Sequence, residues 1–195
     1  MSRLRSLRRD LAAAAATLAG RPTAPVTPSA QPIAPPVSGT IPAPAPSASS
    51  LLAPRRLRIA RIVRETSDAV SLVLEDPTGA PIPFAPGQFF TLHVPVGGEV
   101  HKRAYSASSS ALDRERVSVT VKRVADGRVA RHLVGHAHEG DPIDVLGPSG
   151  AFTPSAGSAP RLLILVGGGS GITPLTSIAR TLLASEPDTR IALVY

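Results

Sequence analysis

A chain of 195 residues has room for one domain with extensions or for two small ones. It is 43% hydrophobic but only 3% aromatic, so a core must be assembled from Leu, Val, Ile and Ala, and the lack of cysteine excludes disulfides, thiolate catalysis and cysteine-ligated zinc or iron–sulfur sites within this sequence. The net charge of +7 is unevenly placed: residues 1–61 hold nine Arg and one Asp, a net of +8, and the remainder a net of −1, which argues against a nucleic-acid-binding surface on the folded part.

The chain opens with MSRLRSLRRDLAAAAATLAG, a basic stretch with an Arg8–Arg9 pair and an alanine run. A twin-arginine export signal has a similar start. Against export, the apolar run is short and Ala-dominated and Asp10 follows the pair directly; an Ala-rich helix over residues 4–19 accounts for the pattern equally well. Cytoplasmic residence is the expectation, and no stretch is apolar for long enough to span a bilayer. Residues 22–54 carry ten prolines among Ala, Ser and Thr. Such a segment buries little apolar surface, so residues 1–54 are expected to form a disordered tail.

At Arg55 the pattern changes. RLRIARIVRE alternates apolar and charged residues, as a half-buried strand does, and VSLVLEDP supplies a second strand. PTGAPIPFAPGQ reads as a loop, QFFTLHVPV as a strand, GGE as a turn and VHKRAYSASS as another strand. RVSVTVKRV is a further strand. GRVARHLVGH is a short helix by the spacing of Val129, Leu133 and Val134, and DPIDVLGPSG is a strand ending in a turn. Many short strands with tight turns predict an antiparallel barrel over residues 55–154. After the SAGSAP linker, LLILV is a continuous apolar run suited to a parallel strand buried on both faces. GGGSGITP, the helical run LTSIARTLLAS and the strand RIALVY complete a βαβ unit over residues 160–195.

Two stretches carry chemistry. In HKRAYSASSS a strand projects Arg103 and Tyr105 to one side and Ala104 and Ser106 to the other. A cation and a flat ring side by side suit a ligand with both a phosphate and an aromatic system; an amphipathic strand with an exposed Arg and a half-buried Tyr fits the same residues. GGGSGITP stands between strand and helix, where glycines let backbone amides approach an anion and the helix N-terminus adds partial positive charge. Thr173 is placed to cap that helix and Pro174 to fall in its first turn. Ile172 rules out G-x-G-x-x-G and the nucleophile elbow, and no Lys follows to make a P-loop. A tight turn without a ligand explains the glycines as well. His132, His136 and His138, with Glu139 and Asp141, have some metal-ligand spacing, but a helix end and its following turn commonly carry exposed His and acids, so no metal site is assigned. Asp76, Asp113 and Asp144 read as turn or strand-end residues. Of Phe89 and Phe90, one ring is expected in the core and the other outside it.

In combination, R-A-Y-S, V-K-R, G-P-S-G-A-F and G-G-G-S-G-I-T-P, in that order, resemble the ferredoxin–NADP reductase superfamily of flavoproteins. Within it, FAPGQFFTLHVP, KRAYSASSS and VSVTVKRV are similar to the reductase components of phenylacetyl-CoA epoxidase and ketosteroid hydroxylase systems. The resemblance covers about residues 57–195. It implies a Greek-key FAD-binding barrel followed by the first βαβ unit of a parallel NAD(P)-binding domain, C-terminally incomplete because relatives continue through further strands and helices. It implies an FAD-dependent oxidoreductase that takes hydride from NADH or NADPH and passes electrons to a ferredoxin-type or oxygenase iron–sulfur acceptor. The alternative is a flavin-binding fragment without a complete nucleotide site.

The resemblance also implies roles. Arg103 would pair with the FAD diphosphate, Tyr105 would lie against the flavin ring, and Ser106, beside Ala104, would approach the flavin N5 edge. Val121, Lys122 and Arg123 would turn their backbone to the flavin. The turn at Gly127, Val129 and Ala130 would hold the diphosphate, with Ala130 standing where many relatives have a Ser hydroxyl. Gly167, Gly168, Gly169, Ser170, Gly171, Thr173 and Pro174 would line the nicotinamide nucleotide, with Thr173 near the meeting of nicotinamide and flavin. Ser106 and Thr173 are thus the candidate catalytic residues. Hydride transfer needs positioning and electrostatics rather than a general base, in keeping with the lack of a triad.

Overall fold

The computed structural model describes residues 53–155 and 160–195. The expected Ala-rich helix, the Pro-rich linker up to residue 52 and most of the SAGSAP linker lie outside the described residues. Six strands form where the period-2 pattern predicts them: β1 (Arg55–Arg64), β2 (Ala69–Glu75), β3 (Phe89–Val96), β4 (Glu99–Ser106), β5 (Arg116–Lys122) and β6 (Pro142–Ser149). In β5 the pleat buries Val117, Val119 and Val121 and leaves Arg116 and Lys122 in water. In β3 it turns Phe90, Leu92 and Val94 inward. The β3–β4 hairpin closes at Gly97 and Gly98, with φ of 63° and 84°, the left-handed backbone that a tight hairpin turn requires.

The strand order is β4-β3-β6-β1-β2-β5, with every pair antiparallel. The non-sequential neighbours β1–β6, β3–β6 and β2–β5 give the Greek-key connectivity. The sheet curls until its two edge strands touch at one point, where Ala107, just past β4, bridges Val119 of β5. A single helix, α1 (Arg128–His136), plugs the curl. It buries Val129, Ala130, Leu133 and Val134 in the same core as Leu57, Leu72, Leu74, Phe90, Leu92 and Val119. Each large side chain so buried stabilises the fold by about 1.5–3 kcal/mol.

The second part is a βαβ unit. β7 (Leu162–Val166) and β8 (Arg190–Val194) pair in parallel, and α2 (Ile172–Ser185) packs on one face of the pair. Leu165 of β7 and Leu175, Ile178 and Leu182 of α2 make its core. The other face is open among the described residues: Leu162, Ile164 and Val166 are 58%, 58% and 70% exposed. The LLILV run, suited to burial on both faces, is therefore covered on one only, because α2 is the one described element that packs against it.

Candidate functional site

Register places the two residues of interest on β4. Tyr105 pairs with Phe90 and Arg103 with Leu92, so both share the face of β3 that lines the core, while Ala104 and Ser106 lie opposite Thr91 and Phe89 on the other face. β4 is an edge strand, and past the Ala107–Val119 bridge no ladder joins it to β5. Carried on, that register would set Tyr105 opposite Val121 and Arg103 opposite Arg123. The strands instead leave an open seam there, flanked by Arg103 and Tyr105 on one side and by Val121, Lys122 and Arg123 on the other.

The electrostatics of the seam are cationic. Arg103 and Arg123 are exposed, and neither forms an ion pair among the described residues; Arg103 donates from Nη1 to the Lys102 carbonyl at 2.8 Å. Lys122 is drawn aside to Asp68, 3.6 Å away. Burial pushes the Tyr105 phenol above its usual range, and the nearby Arg103 charge opposes that shift. The phenol is thus neutral at physiological pH and presents a flat, half-buried ring that packs on the core.

Beyond β5 the chain turns into α1. Gly127 is its N-cap and has no side-chain cap. A Cβ at Gly127 would lie 2.5 Å from Cγ2 of the exposed Val124, whose side chain would have to move aside. The first helical bond runs from the Arg131 amide to Gly127 O at 2.9 Å, which leaves the amides of Arg128, Val129 and Ala130 without an intrahelical acceptor. The side chains of Val129 and Ala130 point into the core. This turn therefore offers backbone amides and not side chains. A depression of about 420 Å³ adjoins it, lined by Asp68, Arg123, Val124, Ala125 and Arg131.

The glycine turn is built differently from the expectation. Gly169–Gly171 forms a 3-10 turn that winds straight into α2, so the helix begins at Ile172 with Gly171 as its N-cap. Thr173 lies inside the first turn and is not the cap. Its hydroxyl donates to Ser170 O at 2.9 Å, and Pro174 follows it. A Cβ at Gly167 would meet Leu175 Cδ1 at 2.6 Å and force that buried side chain to shift, and Gly169 has a φ of 56°. The Gly171 and Ile172 amides are committed within the turn, and the Tyr195 hydroxyl donates to Gly169 O at 3.1 Å. Gly168 is exposed with open space around it.

Asp76, Asp113 and Asp144 are structural. Asp76 binds Arg55 and Thr78, Asp113 accepts from the Glu115 and Arg116 amides, and Asp144 pairs with Arg56. Phe90 is a core ring, and Phe89 lies against Gly150. The rings of His132 and His136 stand 5.7 Å apart, and among the described residues no group of three or more His, Asp or Glu is arranged to hold a metal. No described helix is long and apolar enough to cross a membrane. Sequence reasoning missed Arg131, Asp68 and Val124, which line the depression beside α1; the Arg131 guanidinium caps the Ala125 carbonyl. The basic character of VKRVADGRVAR was the signal that could have found Arg131 and Val124; Asp68 lies in the distant β1–β2 turn, and no local pattern marks it.

A family model described as the oxidoreductase FAD-binding domain matches residues 56–153. The chain is 45% identical over 146 residues to the ferredoxin reductase component of 3-ketosteroid-9-alpha-monooxygenase from Mycolicibacterium smegmatis. It is 36% identical over 143 residues to one component of the 1,2-phenylacetyl-CoA epoxidase from Escherichia coli. Each alignment covers 71% of this chain and 40% of the relative, so the chain spans about 40% of the length of these curated relatives. Among solved structures, phthalate dioxygenase reductase, described as a modular structure for electron transfer from pyridine nucleotides to a 2Fe–2S centre, matches with a TM-score of 0.63 and 37% identity, over 72% of this chain and 42% of that one.

Proposed function

Because the chain belongs to the oxidoreductase FAD-binding domain family, we propose that the seam between β4 and β5 holds FAD and that the protein works as the flavin module of an NAD(P)H-dependent reductase. The observation that carries this is the placement of Arg103 and Tyr105 on one face of β4, where the sheet fails to close. The groups present fit the cofactor. An unpaired guanidinium and three free amides at the start of α1 suit a diphosphate, since a helix N-terminus and a planar donor fork both favour anions. A half-buried phenol ring offers dispersion and stacking to a flat heterocycle.

Arg103 and the Arg128–Ala130 amides bind and neutralise the diphosphate, and Tyr105 orients the ring. Ser106 ends β4 with a hydroxyl that can donate to a nitrogen gaining electron density, and the backbone of Val121 to Arg123 borders the same seam from β5. The Gly167–Pro174 turn receives the nicotinamide nucleotide, with Thr173 shaping the turn through its bond to Ser170. When bound, FAD would supply the two-electron chemistry, accepting hydride at N5 from C4 of a dihydronicotinamide and releasing the electrons singly to an iron–sulfur or ferredoxin-type acceptor. The protein's own share is alignment and exclusion of water.

The test is anaerobic mixing of the FAD-loaded chain with NADH and, separately, NADPH. Bleaching of the flavin absorbance by either nucleotide is the expected result. Stable colour with both would leave a flavin-binding module without nicotinamide chemistry.

A further inference from the structure

The loop that leaves β4 is held from two sides. On the barrel side, the Ala107 amide donates to Gln88 O at 2.9 Å, the Ser108 amide to Ser118 O at 2.8 Å, and the Ser118 amide to Ser109 Oγ at 3.0 Å. On the other side, two consecutive residues of α2 reach the same loop. Arg180 donates from Nη1 to Ser108 O at 2.9 Å, and the Ala111 amide donates to Thr181 Oγ1 at 2.9 Å. The Thr181 hydroxyl itself donates to Ser177 O at 2.8 Å, so it serves the loop as acceptor and the helix as donor. Ser108 and Thr181 are 6% and 7% exposed, whereas Arg180 is an exposed residue, so the Thr181 bond is the better shielded of the two. The same stretch of α2 closes on a second barrel loop at Gly87, where a Cβ would stand 1.9 Å from Phe152 O and 3.3 Å from Ile178 Cδ1.

These contacts join the two places that the proposed reaction must bring together. Ser108 is two residues beyond Ser106, roughly 7 Å of extended chain. Thr181 is nine residues into the helix that starts at Ile172, directly after the glycine turn, roughly 14 Å along a rigid rod. Resting on the FAD and nicotinamide assignment above, we infer that Arg180 and Thr181 are positioning residues for hydride transfer: they touch neither cofactor and fix the flavin strand against the nucleotide-binding turn. Transfer is steep in donor–acceptor geometry, so their loss falls on the transfer step and not on FAD affinity.

Arg180→Met and Thr181→Val remove the bonds at nearly constant volume; Arg180→Lys and Thr181→Ser keep them. The measurement is the limiting rate of anaerobic flavin reduction in the full chain at saturating nucleotide, alongside the FAD Kd. Arg180→Met and Thr181→Val are expected to slow reduction about tenfold or more, with the FAD Kd held within about threefold, and Arg180→Lys and Thr181→Ser to recover most of the rate. Faster exchange of the Ala111 amide in Thr181→Val reports that the bond was broken. Wild-type rates in Arg180→Met and Thr181→Val, or losses that track FAD affinity and are not rescued by Arg180→Lys and Thr181→Ser, overturn the inference. A parent protein that takes up no FAD, or is reduced by neither nucleotide, overturns the functional assignment beneath it and this inference with it, and that result appears before any variant is made.

Discussion

Tyr105 and Arg103 share one side of β4, an edge strand, on the face that β3 buries in the core. Their common side was legible in the alternation of KRAYS alone, since a strand leaves no other arrangement. The role of Thr173 was not legible in the same way. A Thr–Pro step before an apolar run reads as a cap, but the glycines before it wind a 3-10 turn and move the helix start upstream to Ile172. Ala130, expected to offer no side-chain donor and to leave the work to backbone amides, has its side chain in the core and its amide without an intrahelical acceptor. The ring itself is the testable residue. Tyr105→Leu keeps apolar packing on the core but removes the stacking face, and is expected to weaken FAD binding about tenfold, the equivalent of about 1.4 kcal/mol; Tyr105→Phe should stay near wild type. Fluorescence titration of FAD checks both.

Among the elements, β1 carries five arginines in the interior of the sheet order, and three of them meet carboxylates on or beside neighbouring strands. Arg55 binds Asp76, Arg56 binds Asp144, and Arg58 shares Glu75 with Arg116. Bonds from the Thr78 hydroxyl and amide, followed by the Arg55 guanidinium, pull the Asp76 carboxyl down to about 2. Glu75 is lowered first by Arg58 and Asp144 first by Arg56. A carboxylate whose folded pKa lies below its unfolded value of about 3.9 stabilises the fold fully above that value and loses its contribution as pH falls through the folded one. Thermal midpoints should therefore be flat from about pH 7 to 5 and fall between about pH 4 and 2. Asp76→Asn should lower the plateau and flatten part of the acid slope, as thermal melts across that range would show; an unchanged slope would place the acid sensitivity elsewhere. The strands and both helices were legible from hydrophobic period, because each signal is local. Their lateral order was not. The β2–β5 and β3–β6 pairings, and the reach of Arg180 and Thr181 to a loop some 70 residues earlier, join segments with no local pattern in common.

At the scale of the molecule, the pattern changes from alternating strands to a continuous apolar run at Leu162, and β1–β6 make one sheet while β7 and β8 make a second. The seam is a consequence of the whole sheet: six strands curl far enough for one bridge between β4 and β5, and the remaining gap carries a cation with no ion pair among the described residues, a half-buried ring and the start of α1, which has no side-chain cap. A cofactor bound there and not in the unfolded chain must also stabilise the fold, by about 2.7 kcal/mol at a hundredfold excess over Kd. The most direct measurement is therefore an FAD titration of the folded chain, followed by flavin absorbance and by thermal midpoint. Saturable one-to-one uptake with a rising midpoint is the predicted result. Protein that stays colourless, with a midpoint indifferent to FAD, would contradict the account.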